Sequence, residues 1–222
     1  MNWDFIFLPA QLQCEQQRTS LRRSQELPKE EDLSQFKEFV ISEMHRLVAD
    51  HYKKWDRHDF ILMRDLIVCR LTMFNARRGG EPARLTLSEW EDAMNNVWID
   101  QQRVQNVDDP LERETLDSYK LAYLIGKGSR KLVPILIPND TVLPLQTLVE
   151  EGAGLNIPVS NPFVFANNGE SNNHVIGWYS THKVVNMIAG RLEKPSLLIA
   201  DRFRHRVSTL FALLEFPDDV RS

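Results

Sequence analysis

The first long amphipathic pattern follows residues 27–32, where a proline and three acidic residues occupy positions that suit a first helical turn. Its apolar residues recur every three or four positions: Leu33, Phe36, Val40, Met44 and Leu47. We predict a helix that continues to about Tyr52. The next pattern, Phe60–Phe74, is apolar on nearly every side, which predicts a helix buried at the centre of a domain and ended by Gly79 and Gly80.

A polar interval then separates this helical region from the next apolar patterns. Ser88 and Glu91 have the spacing of a capping box, so a helix that begins at Ser88 should include Trp90, Met94 and Trp98. The polar stretch Asp100–Asp117 predicts a solvated connection. Its acidic residues have no His or Cys beside them, which argues against a metal site: Asp108, Asp109, Glu112 and Glu114.

Two strand-like patterns, Leu116–Ile125 and Lys131–Ile137, flank a glycine-containing turn, and together they predict a β-hairpin. The remaining chain predicts further helices and one short extended piece. The helices are placed at Pro138–Glu151, Tyr179–Gly190 and Ser196–Leu214, and the extended piece at Asn161–Ala166. The predicted fold is therefore mainly α with a small antiparallel β sheet, an α+β class.

The composition is that of a globular protein and excludes disorder, collagen and coiled coil. The chain has 222 residues, of which 42% are hydrophobic and 26% charged, with a formal net charge of −4. We expect one main domain over residues 27–222 and a tail over residues 1–26. No segment has the length and apolarity of a membrane span, and the first residues lack the basic start of a signal peptide, so we expect no membrane association.

The cysteine content indicates a reducing compartment, the nucleus or the cytoplasm. Cys14 and Cys69 are too few for a disulfide framework or a four-cysteine zinc site. His174, His182 and His205 share no helical face with cysteine or carboxylate partners, so we expect no metal. The tryptophans are too dispersed for a cage, and we expect core or half-core burial for all of them: Trp3, Trp55, Trp90, Trp98 and Trp178.

Basic residues beside glycines or helix ends occur in three places: Arg77–Glu81, Gly126–Lys131 and Asp201–Arg206. Alone, each is typical of a helix end or a solvated turn. Together, their order resembles the catalytic domain of tyrosine recombinases of the phage-integrase type. In that family an arginine followed three residues later by a glutamate ends a buried helix, and Arg78 and Glu81 match this pair.

The other two motifs of the family also have counterparts. The family's hairpin lysine matches Lys127, and the arginine of its His-x-x-Arg-His helix matches Arg204. The first histidine of that motif is Asp201 here, a departure that weakens proton handling and would repel a phosphate. The segment Phe74–Leu85 looks especially similar to integrase-like genes of animal mobile elements. The resemblance covers about residue 27 to the C-terminus.

The resemblance implies a fold like the DNA breaking-rejoining catalytic core, incomplete at its C-terminus, with residues 1–26 a tail or the remnant of an upstream core-binding domain. It also implies that Arg78, Lys127 and Arg204 stabilise charge on a scissile phosphodiester. Further contacts to duplex DNA would come from the neighbouring polar residues Arg77, Lys131, Arg202 and His205. The family uses protein side chains alone, so no metal or organic cofactor is expected.

The family's nucleophile is a tyrosine that lies downstream of the second arginine. No tyrosine follows Arg204 in this sequence, and the four that precede it are Tyr52, Tyr119, Tyr123 and Tyr179. The last three have the pattern of packing residues on strands or helices. We therefore expect a recombinase-like protein that binds DNA without cutting it.

Two alternatives stay open. The negative net charge and the acidic stretch Asp100–Asp117 favour a domesticated protein-interaction module in which the arginines only cap helices and form salt bridges. A fragment with an incompletely buried core is the other alternative. It would expose the apolar residues Leu210, Phe211, Leu213 and Leu214, and this exposure would favour aggregation or self-association.

Overall fold

The described part of the chain is mainly helical with one two-stranded antiparallel sheet, as the hydrophobic pattern predicts. The computed structural model describes residues 26–49, 54–100, 104, 106–126, 131–152, 155, 157–158, 160–167 and 171–213. The α-helices are α1 Glu30–Ala49, α2 Arg57–Phe74, α3 Leu87–Met94, α4 Pro110–Asp117, α5 Asn139–Gly152, α6 Gly177–Ile188 and α7 Ala200–Leu213. The strands are β1 Tyr119–Ile125 and β2 Leu132–Pro138, and short 3-10 turns lie at Pro82–Arg84, Ala189–Arg191 and Pro195–Leu197.

Helix α2 is the central element of the fold, because α1, α5 and α6 all pack against it. Its apolar side chains are buried or half-buried on every side, apart from Phe74 at its end, which confirms the prediction made from the sequence. Asp56 starts the helix by accepting hydrogen bonds from the backbone N–H groups of His58 and Asp59, and the Asp59 carboxylate accepts one from the Asp56 N–H. The rest of the core forms around this buried helix.

Charged residues of α2 are buried together with partners. Arg70 Nη2 lies 2.7 Å from Asp140 Oδ2 on α5, and the Arg70 guanidinium lies over the Phe74 ring at 5.1 Å. Arg64 donates to the carbonyl of Ala166 at 2.8 Å and pairs with Asp65 at 3.2 Å. Burial lowers the pKa of the Arg64 guanidinium, although the neighbouring Asp65 carboxylate opposes this effect. Removing one partner of such a buried pair costs about 3–5 kcal/mol.

The hairpin is antiparallel, with Tyr119 opposite Pro138 and Ile125 opposite Leu132. Ala122, Leu124, Ile135 and Ile137 point into the core and follow the alternation of a sheet with one buried face. Asn75, the residue that caps the C-terminus of α2, fastens the sheet to that helix. Its side-chain amide accepts from the Leu136 N–H and donates to the Leu136 carbonyl, both at 2.8 Å. The predicted turn residues 127–130 lie outside the described part of the chain.

Two helix boundaries differ from the predictions. Helix α2 ends at Phe74, before Gly79 and Gly80, because Asn75 caps it and Ala76 adopts a left-handed conformation with φ of 48°. The capping box of α3 is formed by Thr86 and Glu89, so the predicted box at Ser88 and Glu91 is wrong. An isolated antiparallel bridge between Thr86 and Phe163 holds Thr86 extended and so selects this starting point.

The stretch Asp100–Asp117, predicted to be a solvated connection, contains helix α4. Pro110 occupies its first position, where the missing N–H has no cost. Asp108, Asp109 and Glu114 are exposed, as expected for this stretch. Strand β1 consequently starts at Tyr119, three residues later than predicted. Trp98 lies in the turn after α3, because Asn96 leaves the helical conformation with φ of 54°.

The other predicted elements lie close to their expected positions. Helices α1, α5, α6 and α7 start or end within a few residues of the predicted bounds. The predicted extended piece Asn161–Ala166 forms only isolated bridges, Phe163 with Thr86 and Ala166 with His174. Across the described part of the chain, no helix has the length and the apolar composition that crossing a bilayer requires.

We expect the stability of the protein to fall at alkaline pH through Cys69, which is fully buried on α2. Burial raises the pKa of the Cys69 thiol to about 12, against the effect of a hydrogen bond with Thr181. The same thiol in an unfolded chain has a pKa of about 8.5. The folded chain therefore keeps a proton that the unfolded chain loses, and the stability present below about pH 8.5 decreases as the pH rises toward 12.

Urea unfolding of the parent and of Cys69→Ala at about pH 8 and about pH 10.5 measures this effect. The free energy of unfolding of the parent should drop more steeply than that of the variant, by up to about 1.4 kcal/mol per pH unit. Lysines and tyrosines that titrate in the same range are common to both proteins and cancel in the comparison. Equal pH dependence in parent and variant would contradict the burial of this thiol.

Candidate functional site

Arg78 and Arg204 line one surface cavity of about 470 Å³, which we call the arginine cavity. Three segments form its walls: the loop after α2, the first turns of α6, and the start of α7. The lining residues are Arg78, Gly79, Trp178, Thr181, His182, Ile199, Ala200, Asp201 and Arg204. Two of the three arginine and lysine positions singled out by the sequence motifs are therefore neighbours in space.

The loop that carries Arg78 is held at both ends. On one side, the Asn75 amide bonds to Leu136 on β2 and to the Leu71 carbonyl. On the other side, the Glu81 N–H donates to the Arg78 carbonyl at 2.8 Å and starts the 3-10 turn. The Arg78 side chain is exposed, and among the described residues it makes no ion pair. Its guanidinium is thus available to an anion.

Two glycines allow this loop to touch the N-terminus of α6. A Cβ atom on Gly177 would lie 1.7 Å from the Gly79 carbonyl oxygen and 2.4 Å from its carbonyl carbon. A Cβ atom on Gly79 would lie 3.1 Å from the Gly177 carbonyl carbon. The two backbones are therefore in direct contact, and only glycine at position 177 permits so close an approach. This contact sets the separation between the Arg78 loop and the side chains of the first turn of α6.

A buried carboxylate fixes the orientation of α6. Asp65 Oδ1 accepts a hydrogen bond from Ser180 Oγ at 2.7 Å, and Asp65 Oδ2 lies 3.4 Å from Lys183 Nζ. Because Ser180 faces α2, Trp178 and His182 are directed to the exposed side of the helix and the cavity. The His182 Nδ1 atom lies 3.1 Å from the Asn186 side-chain nitrogen.

Helix α7 presents Arg204 from the opposite wall. Phe203 is buried in the core and anchors the helix, while Arg206 bonds to the Pro28 carbonyl at 3.4 Å and pairs with Glu30 of α1. Arg204 Nη1 lies 3.5 Å from Asp201 Oδ1, and His205 Nε2 lies 3.9 Å from Asp201 Oδ2. Asp201, the departure from the family pattern, thus sits in the cavity beside the arginine.

A second set of contacts ties the segment before α7 to α1. The buried Asp32 carboxylate accepts hydrogen bonds from the backbone N–H groups of Glu193 and Lys194, both at 2.9 Å. Exposed ion pairs surround this anchor: Lys29 with Glu193, and Lys194 with Glu26. The wall that carries Arg204 is therefore attached to the first helix as well as to the core.

The other predicted site residues that the structure describes do not belong to the described lining of the arginine cavity. Lys127 lies outside the described residues, so the structure does not place it. Arg77 is half-buried in the loop beside Arg78, and Lys131 is exposed at the start of β2. Arg202 and His205 lie on α7, but the residues of that helix in the described lining are Ala200, Asp201 and Arg204.

Sequence reasoning missed Trp178, Thr181 and His182 as parts of the site. Burial was expected for the tryptophans, and Trp55 and Trp90 confirm it, but the exposed fraction of Trp178 is 65% and that of Trp98 is 41%. Trp178 is exposed because it follows Gly177 on the outer side of α6, and Trp98 because it lies in a turn, where its ring packs on Tyr123. Trp3 lies outside the described residues.

The described tyrosines do not enter the arginine cavity. Tyr119 and Tyr123 are half-buried on β1, as expected for packing residues. Tyr179 was also expected to pack, but 47% of it is exposed next to Trp178. Tyr52 lies outside the described residues. Among the described residues, the structure also contains no group of three or more His, Cys, Asp or Glu side chains placed to hold a metal ion.

The C-terminal apolar residues are described only in part. Leu210 is 48% exposed on α7, which is the exposure that the fragment alternative expects. The side chains of Phe211, Leu213 and Leu214 lie outside the described residues.

Comparisons with known proteins add no relative. No protein-family model matches this chain, and no curated protein and no solved structure matches it either.

We expect Gly177→Ala to push the Arg78 loop away from α6 and to destabilise the protein. A methyl group at this position overlaps the Gly79 carbonyl, and overpacking of this kind costs about 1–3 kcal/mol, less the gain in helix propensity. Gly190→Ala is the matched control, because a Cβ atom there meets nothing within 4 Å. Thermal unfolding should show a lower Tm for Gly177→Ala and a change of less than about 0.5 kcal/mol for the control. Equal stability of the two variants would contradict the close glycine contact.

Proposed function

We propose that this chain is a DNA-binding protein of the tyrosine-recombinase type in which Arg78 and Arg204 hold a backbone phosphate of DNA. One observation carries the proposal: the two arginines that match the family's motifs come from distant parts of the sequence and line the same cavity. A cavity that joins two guanidinium groups is a favourable site for a phosphate, because each planar guanidinium can donate two parallel hydrogen bonds to its oxygens.

The charge around the cavity favours an anionic ligand. Arg78 has no ion-pair partner among the described residues, and Arg204 has only the exposed, 3.5 Å contact with Asp201. Exposed ion pairs of this kind contribute about 0–1 kcal/mol, so Arg204 can exchange Asp201 for a phosphate at small cost, and the nearby Asp201 carboxylate then reduces the net attraction for the phosphate. The net formal charge of the lining stays positive even when Asp201 is included, because two arginines face one carboxylate. His182 adds an exposed imidazole group to the lining, whereas the Thr181 hydroxyl is buried and donates to the Gly177 carbonyl.

Binding without strand cleavage is the activity we propose. In-line attack on phosphorus requires a nucleophile beside the bound phosphate. Among the described residues, no tyrosine lines the cavity. Lys127 completes the proposed set as the third cationic residue by resemblance to the family. The mainly helical fold with a small antiparallel sheet agrees with this type of protein without identifying it.

We expect Arg78→Ala and Arg204→Ala each to weaken binding to duplex DNA about tenfold, because each removes one charge-assisted phosphate contact. The slope of log affinity against log salt should become shallower by about 1 for each variant. Arg46→Ala is the matched control: it removes the same charge from an exposed arginine of α1 that pairs with Glu43 at 2.9 Å. Fluorescence anisotropy with labelled duplex DNA over a salt series measures both quantities.

Equal affinity and equal salt slope for the parent and both cavity variants would contradict the proposal. Such a result, together with no retention of the parent on heparin at low salt, would favour the protein-interaction module. A uniform loss in all three variants, the control included, would show only a general effect of net charge and would also count against a specific phosphate site.

A further inference from the structure

The arginine cavity is bordered by an exposed aromatic surface at the start of α6. The side chains of Ile176, Trp178 and Tyr179 are 59%, 65% and 47% exposed. The rings of Trp178 and Tyr179 meet edge to face, with centroids 5.8 Å apart, and Lys183 Nζ lies 4.7 Å from the centroid of the Tyr179 ring. We call Trp178, Tyr179 and Lys183 the aromatic platform. Trp178 belongs to both the platform and the cavity lining.

The core contacts of α6 keep these rings at the surface. Gly177 is locked against Gly79, and Ser180 and Thr181 are buried against α2. A rotation that buried Trp178 would break the hydrogen bond from Ser180 to Asp65. The large indole surface therefore stays exposed to solvent, which is unfavourable unless a ligand covers it. It lies beside two guanidinium groups, so that ligand should combine a flat apolar face with negative charge.

We propose that the aromatic platform stacks an unpaired base while Arg78 and Arg204 hold the adjoining phosphate, so that the protein prefers DNA with a single-stranded segment. The proposal rests on the proposed DNA-binding function and adds a substrate class to it. Stacking on an aromatic side chain is available to every base, but only when the base is outside the duplex stack. Continuous duplex DNA offers the phosphates alone.

Charge complementarity favours a nucleic acid strand over a protein partner. The cavity and platform together carry Arg78, Arg204 and Lys183 against Asp201 and the buried Asp65. Asp65 already neutralises part of the Lys183 charge, while Arg78 has no partner among the described residues. A nucleic acid strand supplies both contacts, because its phosphates can pair with the arginines and its flat bases can stack on the aromatic platform. An apolar protein surface would leave the guanidinium groups without counter-charge.

The test compares three labelled probes in anisotropy titrations with the full 222-residue chain: a duplex, the same duplex with a short unpaired gap, and the single strand. The parent should bind the gapped duplex and the single strand more tightly than the intact duplex. Trp178→Ala should weaken binding to the two probes with unpaired bases about tenfold more than it weakens binding to the intact duplex. Trp178→Phe should restore most of the loss, because phenylalanine retains a ring that can stack.

Trp98→Ala is the matched control, because Trp98 is also exposed but packs against Tyr123 and does not belong to the described lining of the cavity. It should bind all three probes as the parent does. Circular dichroism and thermal unfolding of each variant confirm that it is folded. Since Trp178 is largely exposed, its replacement should not lower the Tm appreciably.

The outcomes separate this inference from the proposed function. Equal affinity of the parent for gapped and intact duplex, with dependence on Arg78 retained, would overturn the inference and leave duplex binding standing. A preference for unpaired probes that Trp178→Ala does not change would also overturn it, because the base would then stack elsewhere. No binding of any probe would overturn both and point to a protein partner.

Discussion

The hydrogen bonds and ion pairs of the Asp65 carboxylate determine how the candidate site is assembled. Asp65 lies in the middle of the most buried helix and receives Arg64 from its own helix and Ser180 and Lys183 from α6. A buried carboxylate without such partners would be unstable, so the two helices can pack in only one rotational setting. That setting turns Ser180 inward and Trp178 outward. The buried Asp65 carboxylate thus determines which side chains of α6 reach the surface.

Much of the fold could be predicted from the sequence because long periodic patterns decide it. The apolar repeat of α1 and the continuous apolar run of α2 are each longer than the apolar pattern of a loop or a strand. The predicted start of α3 was wrong because the capping-box pattern fits at both Thr86 and Ser88. The bridge between Thr86 and Phe163 decides between the two positions. Helix α4 was missed because a short polar helix has the composition of a solvated loop.

Only those residues of the candidate site that belong to a sequence motif could be predicted. Arg78 and Arg204 match positions of a family pattern, and both line the same cavity in the structure. Trp178 and His182 carry no such pattern, since their place in the site follows from tertiary contacts of α6. The sequence did hold one signal: Gly177 precedes two aromatic residues, and a glycine that starts a helix often marks a close backbone approach. The structure shows that approach.

The attachment of α7 to α1 has a consequence for how ionic strength acts on the molecule. The exposed pairs between Lys29 and Glu193 and between Lys194 and Glu26 weaken as salt screens them. The buried Asp32 carboxylate accepts two hydrogen bonds from the backbone of Glu193 and Lys194, and these are screened less than the exposed pairs. The scaffold that positions Arg204 thus remains in place over a range of salt in which the arginine's own attraction for an anion fades. The contacts that hold the cavity wall in place are therefore less sensitive to salt than the attraction of the cavity for anions.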